Sequence, residues 1–395
     1  MADPQTPSPT PVPRSGRYPR AYLLFFPLAC LYAAVAVPLW VAEWTGAIGG
    51  GCLRCDPMLR HGHEMLLGYA GAVIAGYLLT RVTLYPLALA ALCWGLGRIA
   101  AWFDWGGIAA WSDWGGIAAW SNWGGIAAGP AQLAFPVVLF VLAGLPFWRA
   151  ARTARNMVFA PLIGGFTLAE GLVLAGFGRR GILLAFDLTA LLILVMGGRL
   201  IPAAMAGLVR REENQDLFDR NRPWLEWVCI AGLAVAAIGH LADLPGRLAA
   251  PGMLAAGIAA GMRQSRWRLR LALRDPSLGP LQLGYAALAL GLVAAAAATW
   301  TGLWPAPATL HLATVAGIGI VTATMMLRTV HIRERRPGPF PRVAWPVAGM
   351  LLAAAALRVA APLAMAPLLV ASAGLWCAAF LLAGGVIAGA ARRRP

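Results

Sequence analysis

The sequence predicts an all-α fold, a polytopic bundle of about twelve helices in a lipid bilayer. Three observations carry that expectation. Of 395 residues, 60% are hydrophobic and 12% charged, with a mean hydropathy of +0.69, whereas soluble domains carry roughly 25% charged residues. The apolar residues come in runs of spanning length, about 20 residues each, and not in the short alternating strands that a membrane barrel needs. The charges collect between these runs. The 32 basic residues are all Arg, and the formal charge is +16. Such a balance invites a nucleic-acid reading, but arginines in short loops beside apolar spans act as topology signals. The expected partner is therefore the bilayer, with no nucleic acid.

Taken in order, residues 1–20 are rich in Pro, Ser and Thr and read as a disordered cytoplasmic tail. The first apolar run begins near Tyr22 and is long enough to span, so it reads as a retained helix and not a signal peptide. Spans are expected near 22–43, 61–80, 84–101, 130–148, 157–176, 181–208, 223–243, 248–262, 280–300, 305–328, 343–361 and 364–390, forming one transmembrane domain over 21–395. With a cytoplasmic N-terminus, 24 of the 32 arginines fall on the inner side and 6 on the outer, while Arg98 and Arg199 lie inside spans. That asymmetry sets the orientation and makes both termini cytoplasmic. Between the third and fourth spans, residues 101–129 hold a threefold nonapeptide that begins Ala101-Trp102-Phe103-Asp104-Trp105-Gly106-Gly107. It reads as a duplicated periplasmic loop without chemistry, or as an interfacial Trp platform.

Polar residues at the mouths of spans are costly unless they have a partner or a task. His61-Gly62-His63-Glu64-Met65 opens the second span, and helical spacing puts His61, Glu64 and Met65 on one face with His63 turned away. In the expected orientation His61, His63, His240 and His311 all lie toward the outer side, as do Glu170, Asp187 and Asp243, whereas His331 reads as a solvated inner residue. His61 or His63 is a candidate ligand to haem or copper, His311 a candidate axial haem ligand, and His240 a further candidate metal ligand. Glu64 and Glu170 are candidates to fix an imidazole tautomer or to relay protons. Arg199, beside Pro202 in the sixth span, needs a carboxylate or an anionic cofactor group. Cys52 and Cys55 form a C-x-x-C followed by Asp56, not the haem-attachment pattern. Cys30, Cys93, Cys229 and Cys377 read as packing residues.

The sequence resembles the NnrS family of bacterial membrane proteins. The resemblance rests on His61-Gly62-His63-Glu64-Met65, on Ile74-Ala75-Gly76-Tyr77-Leu78-Leu79-Thr80, on Gly198-Arg199-Leu200-Ile201-Pro202, and on Leu310-His311 with Met326 and Arg328. It implies twelve helices in the bacterial inner membrane, haem and copper, and a role in the response to nitric oxide and nitrosative stress, often beside denitrification. The chain departs from the family's pattern at two places. Leu168-Ala169-Glu170-Gly171 stands where the family carries an Asn and a His, and Gln282-Leu283-Gly284-Tyr285 where it carries H-L-x-Y. A metal-free twelve-helix secondary transporter and a structural membrane protein are the competing classes. The charged loop from Arg210 to Arg222 would divide a transporter into two halves.

Overall fold

The computed structural model describes residues 18–48, 56–102, 123–213, 222–336 and 338–392. The N-terminal tail through residue 17, the Cys52/Cys55 pair and the nonapeptide repeat over 103–122 lie outside these. Every regular element among the described residues is helical. In chain order they are α1 (Ala21–Trp44), α2 (Pro57–His63), α3 (Ala70–Leu78), α4 (Leu84–Trp102), α5 (Trp123–Leu139), α6 (Leu145–Ala150), α7 (Ala154–Met157), α8 (Phe159–Leu174) and α9 (Gly178–Glu213). There follow α10 (Pro223–Leu241), α11 (Gly246–Gln264), α12 (Leu269–Ala272), α13 (Gly279–Thr301), α14 (Ala306–His311), α15 (Gly319–Arg333), α16 (Ala344–Ala360) and α17 (Met365–Arg392). Helix α5 starts at Trp123, inside the third copy of the nonapeptide, so the expected loop over 101–129 is helical at both ends.

Among the described residues, nine helices are long and apolar enough to cross a membrane by length and composition. Helices also stand at the other three expected positions. One is 57–78, where α2 and α3 are joined by a π-turn over Glu64–Tyr69. The others are α8, with 16 residues, and α11, with 19.

The first and last helices adjoin, which closes the bundle. Trp376 of α17 donates its indole N–H to the Ala33 carbonyl of α1 at 2.9 Å. Helices α10, α11 and α13 pack through glycine, because lipid offers no hydrophobic drive between helices and close backbone approach must supply the contact. A Cβ on Gly232 would stand 2.6 Å from the Gly252 carbonyl oxygen, and one on Gly257 would stand 2.7 Å from that of Ala289. The segments 57–78, 178–213 and 306–333 run through the middle of the assembly. Two of the three carry a π-turn, Glu64–Tyr69 in the first and Leu312–Ile318 in the third. Such turns re-aim side chains and collect at functional sites.

Gly232→Val should force α10 and α11 apart and cost about 1–3 kcal/mol, the usual penalty of overpacking. Gly207→Ala, whose added carbon meets nothing within 4 Å of its place in α9, should lose no stability and gain about 0.5–1 kcal/mol from helix propensity. Thermal unfolding of the two variants in detergent checks the contrast, and equal midpoints would contradict the packing account.

Candidate functional site

The site is built at the start of the second helix. Asp56 caps α2, accepting from the Met58 amide at 2.8 Å, and Pro57 occupies the first turn, where its missing N–H costs nothing. Trp40 of α1 donates to the Pro57 carbonyl at 2.8 Å, and Arg60 pairs with Glu43. These contacts seat α2 against α1 and fix the directions of His61 and His63.

His61 and His63 face different surroundings. His63 is buried, with Nδ1 2.7 Å from Glu64 Oε1 and Nε2 3.0 Å from Glu170 Oε1. Carboxylate oxygens accept, so both ring nitrogens donate and neither keeps a lone pair for a metal. Glu64 also takes a hydrogen bond from Arg98 at 3.0 Å and one from the Tyr32 hydroxyl, which in turn accepts from the Trp102 indole at 2.8 Å. Two carboxylates are thus balanced by a guanidinium and an imidazolium, the neutrality that a buried cluster requires. Glu64 therefore sides with His63, not with His61 as straight helical spacing implies. The π-turn begins at Glu64, and the cations on that side hold the carboxylate.

His61 opens instead onto a cavity of about 240 Å³. His311, from α14, lines the same cavity. The two rings are parallel to within 16° with centroids 6.3 Å apart, too far for direct ring contact. Trp40 stacks on His61 at 4.2 Å. The Nδ1–H of His311 donates to the Pro307 carbonyl at 2.6 Å, which fixes the tautomer and leaves the lone pair on Nε2. Neither ring nitrogen of His61 is hydrogen-bonded within the described residues. Met58 and Met65 stand in the same wall, as does Arg358, whose guanidinium lies 5.9 Å from the Trp40 ring centre. Arg358 has no carboxylate partner among the described residues.

The other expected site residues go elsewhere. His240 Nδ1 lies 2.7 Å from Asp187 Oδ2, and neither residue lines the cavity. Arg199 finds the carboxylate it needs in Glu226, at 2.7 Å, and its guanidinium lies over Phe159. Glu226 also receives Arg263 at 3.3 Å. Of the two stretches that depart from the family pattern, one supplies Glu170, the residue that holds His63. In the other, Gln282 donates to the Trp267 carbonyl at 3.0 Å, a structural contact. His331 packs edge-on against Phe340. Among the described residues no group of three or more His, Cys, Asp or Glu side chains is poised for a metal. The cavity brings together two imidazoles and two thioethers.

Residues 19–393 match the family model described as NnrS protein. The chain belongs to the NnrS family. Comparison with curated proteins finds no match. The match covers nearly the whole chain, so the cavity, the buried ion cluster and the π-turns over Glu64–Tyr69, Phe140–Gly144 and Leu312–Ile318 fall within this NnrS-family region.

Removing either partner of the Arg98–Glu64 pair leaves a buried charge without compensation. Arg98→Leu and Glu64→Gln should each lower stability by about 3–5 kcal/mol, and the double variant should lose clearly less than the sum. Denaturation of the purified single and double variants measures the coupling. Strict additivity would show that the pair does not hold the segment.

Proposed function

We propose that this member of the NnrS family is a twelve-span protein of the bacterial inner membrane, with both termini cytoplasmic, that holds haem between His61 and His311 and serves the response to nitric oxide. Copper is the second metal its donors suit. The observation that carries the reading is the pairing of two imidazoles from distant parts of the chain across 6.3 Å of one cavity. His61 and His311 would hold the metal of such a group, since neutral imidazole nitrogen suits both haem iron and copper.

The surroundings fit the group as well. His311 is held in the ligating tautomer by a backbone carbonyl, Arg358 supplies a cation for a carboxylate substituent, and Leu66, Ile182, Leu183 and Phe186 give an apolar wall for a flat ring. Met58 and Met65 offer the soft donors that copper(I) favours. The reading narrows the ligands to His61 and His311. His63 gives both nitrogens to carboxylates, and His240 stands with Asp187 outside the cavity. Glu64 and Glu170 act through His63, holding the helix that presents His61. Haem held there would supply the iron chemistry for a small diatomic, one of His61 and His311 being the ligand it would have to replace, and the apolar walls admit a neutral gas.

One observation favours the alternative of a secondary transporter. A second cavity lies toward the arginine-rich end, beyond a hydrogen bond of 2.5 Å between the Tyr69 hydroxyl and Thr322. Two cavities on opposite sides of one narrow contact are what alternating access requires.

The absorption spectrum of the purified protein, with metal analysis, tests the choice. The wild-type protein should show a Soret band that shifts on addition of nitric oxide. His311→Ala and His61→Ala should lose the band, while His240→Ala keeps it. A colourless, metal-free preparation that exchanges a labelled solute across vesicles would overturn the haem reading in favour of transport.

A further inference from the structure

The second cavity has a chemistry of its own. It consists of two chambers, about 350 and about 330 Å³, which share Tyr77, Leu200, Leu281 and Met325 as common wall. The larger is lined almost wholly by apolar side chains, chiefly from α3, α9 and α15, among them Val73 and Met326, with Phe26 of α1 and Phe159 of α8 joining the wall. The smaller carries Arg328 and Arg333. Ile332 is 55% exposed and Leu200 36%, so the chambers meet the surface through side chains suited to lipid.

Unlike Arg98, Arg199 and Arg263, the two arginines have no carboxylate partner among the described residues. Arg328 donates to the Ser277 hydroxyl at 2.6 Å, and that hydroxyl, itself bonded to Asp275, stands between the guanidinium and the carboxylate. No ion pair to Arg328 or Arg333 exists among the described residues. Arg333 lies over the rings of Tyr22 and Tyr77, at 5.2 and 5.8 Å. Arg199, which lines the larger chamber, is by contrast taken up by Glu226. A partly buried cation without a carboxylate, at the end of an apolar chamber, is complementary to an amphiphile with one anionic head.

We propose that the two chambers form a binding site for an acidic phospholipid, with an acyl chain in the apolar chamber between α3, α9 and α15 and the phosphate at Arg328 and Arg333. A basic pocket between helices at the arginine-rich end of a bundle is the recognised setting for acidic headgroups. Lipid is the fitting source of the anion because the wall leading to the arginines is apolar and opens through Leu200 and Ile332. A free inorganic anion would find only one end of the site useful. The site is separate from the His61/His311 cavity and does not depend on what that cavity holds.

The full-length protein, exchanged in mild detergent with mixed vesicles of phosphatidylglycerol and phosphatidylcholine, should retain phosphatidylglycerol in preference when its bound lipid is read by native mass spectrometry. Arg328→Gln should lower that preference by about fivefold, the effect of one basic residue near a headgroup, whereas Arg328→Lys keeps it. Leu200→Trp, which fills the common wall without changing any charge, should reduce bound lipid of both kinds and guards against a misfolded Arg328 variant. Equal retention of both lipids by the wild-type protein would overturn the proposal. So would unchanged retention in Arg328→Gln and Leu200→Trp, displacement of the lipid by inorganic phosphate alone, or a loss of haem in place of lipid from Arg328→Gln.

Discussion

An ion placed in an apolar bundle has to be neutralised where it stands, and the cluster of His63, Glu64, Glu170 and Arg98 is where this chain meets that demand. Desolvating an unpaired carboxylate or guanidinium costs several kcal/mol, more than the net stability most contacts provide. The four groups therefore cannot be moved singly. They tie the 57–78 segment to α4 through Arg98 and to α8 through Glu170, while Tyr32 brings in α1. One segment is thereby fixed in rotation by three neighbours, and rotation is what decides where His61 points.

That fixed rotation separates two histidines only two positions apart. His63 is spent on charge balance, and for that reason His61 is left over, stacked on Trp40 and open to the cavity. The partner helix reaches the same result by another route. There the Leu312–Ile318 π-turn begins directly after His311, and the ring is locked to the carbonyl of Pro307, one turn earlier. Each ligand candidate thus sits beside a widened turn, and the two turns line the same space from opposite walls. Below them Tyr69, at the end of the first π-turn, reaches Thr322 and packs against Trp376 and Phe380. This contact divides the interior into its two cavities.

The positions of the helices were legible because apolar runs and arginine punctuation read out depth directly. Helices stand at each expected stretch from Ala21 to Arg392. The depth of the histidines was legible for the same reason. Azimuth was not, because it follows from which carboxylate wins which cation. Spacing groups Glu64 with His61, and only the positions of Arg98, Tyr32 and Glu170 turn it to His63. Arg199 was recognised as needing a carboxylate, but Glu226 could not be picked out from one sequence. Arg358 and Met58 carry no local sequence pattern that marks a cavity wall.

The arginines in and around the helices resolve these omissions into one rule. Arg98 and Arg199 each meet a carboxylate directly, and Arg263 meets Glu226 together with the carbonyls of Leu194 and Gly198. Glu64 and Glu226 are thereby taken up. Arg358, Arg328 and Arg333 remain without a carboxylate among the described residues, and each lines a cavity, the first beside the paired imidazoles and the others at the end of the apolar chambers. A guanidinium held partly out of water without a counter-ion is expensive unless something in the cavity completes it. Carboxylate pairing therefore separates the arginines that build the bundle, Arg199 among them although it lines the larger chamber, from those whose charge is left facing a cavity. Arg358 and Arg328 lie on opposite sides of the Tyr69–Thr322 contact, so the anionic groups proposed for them would occupy separate sites.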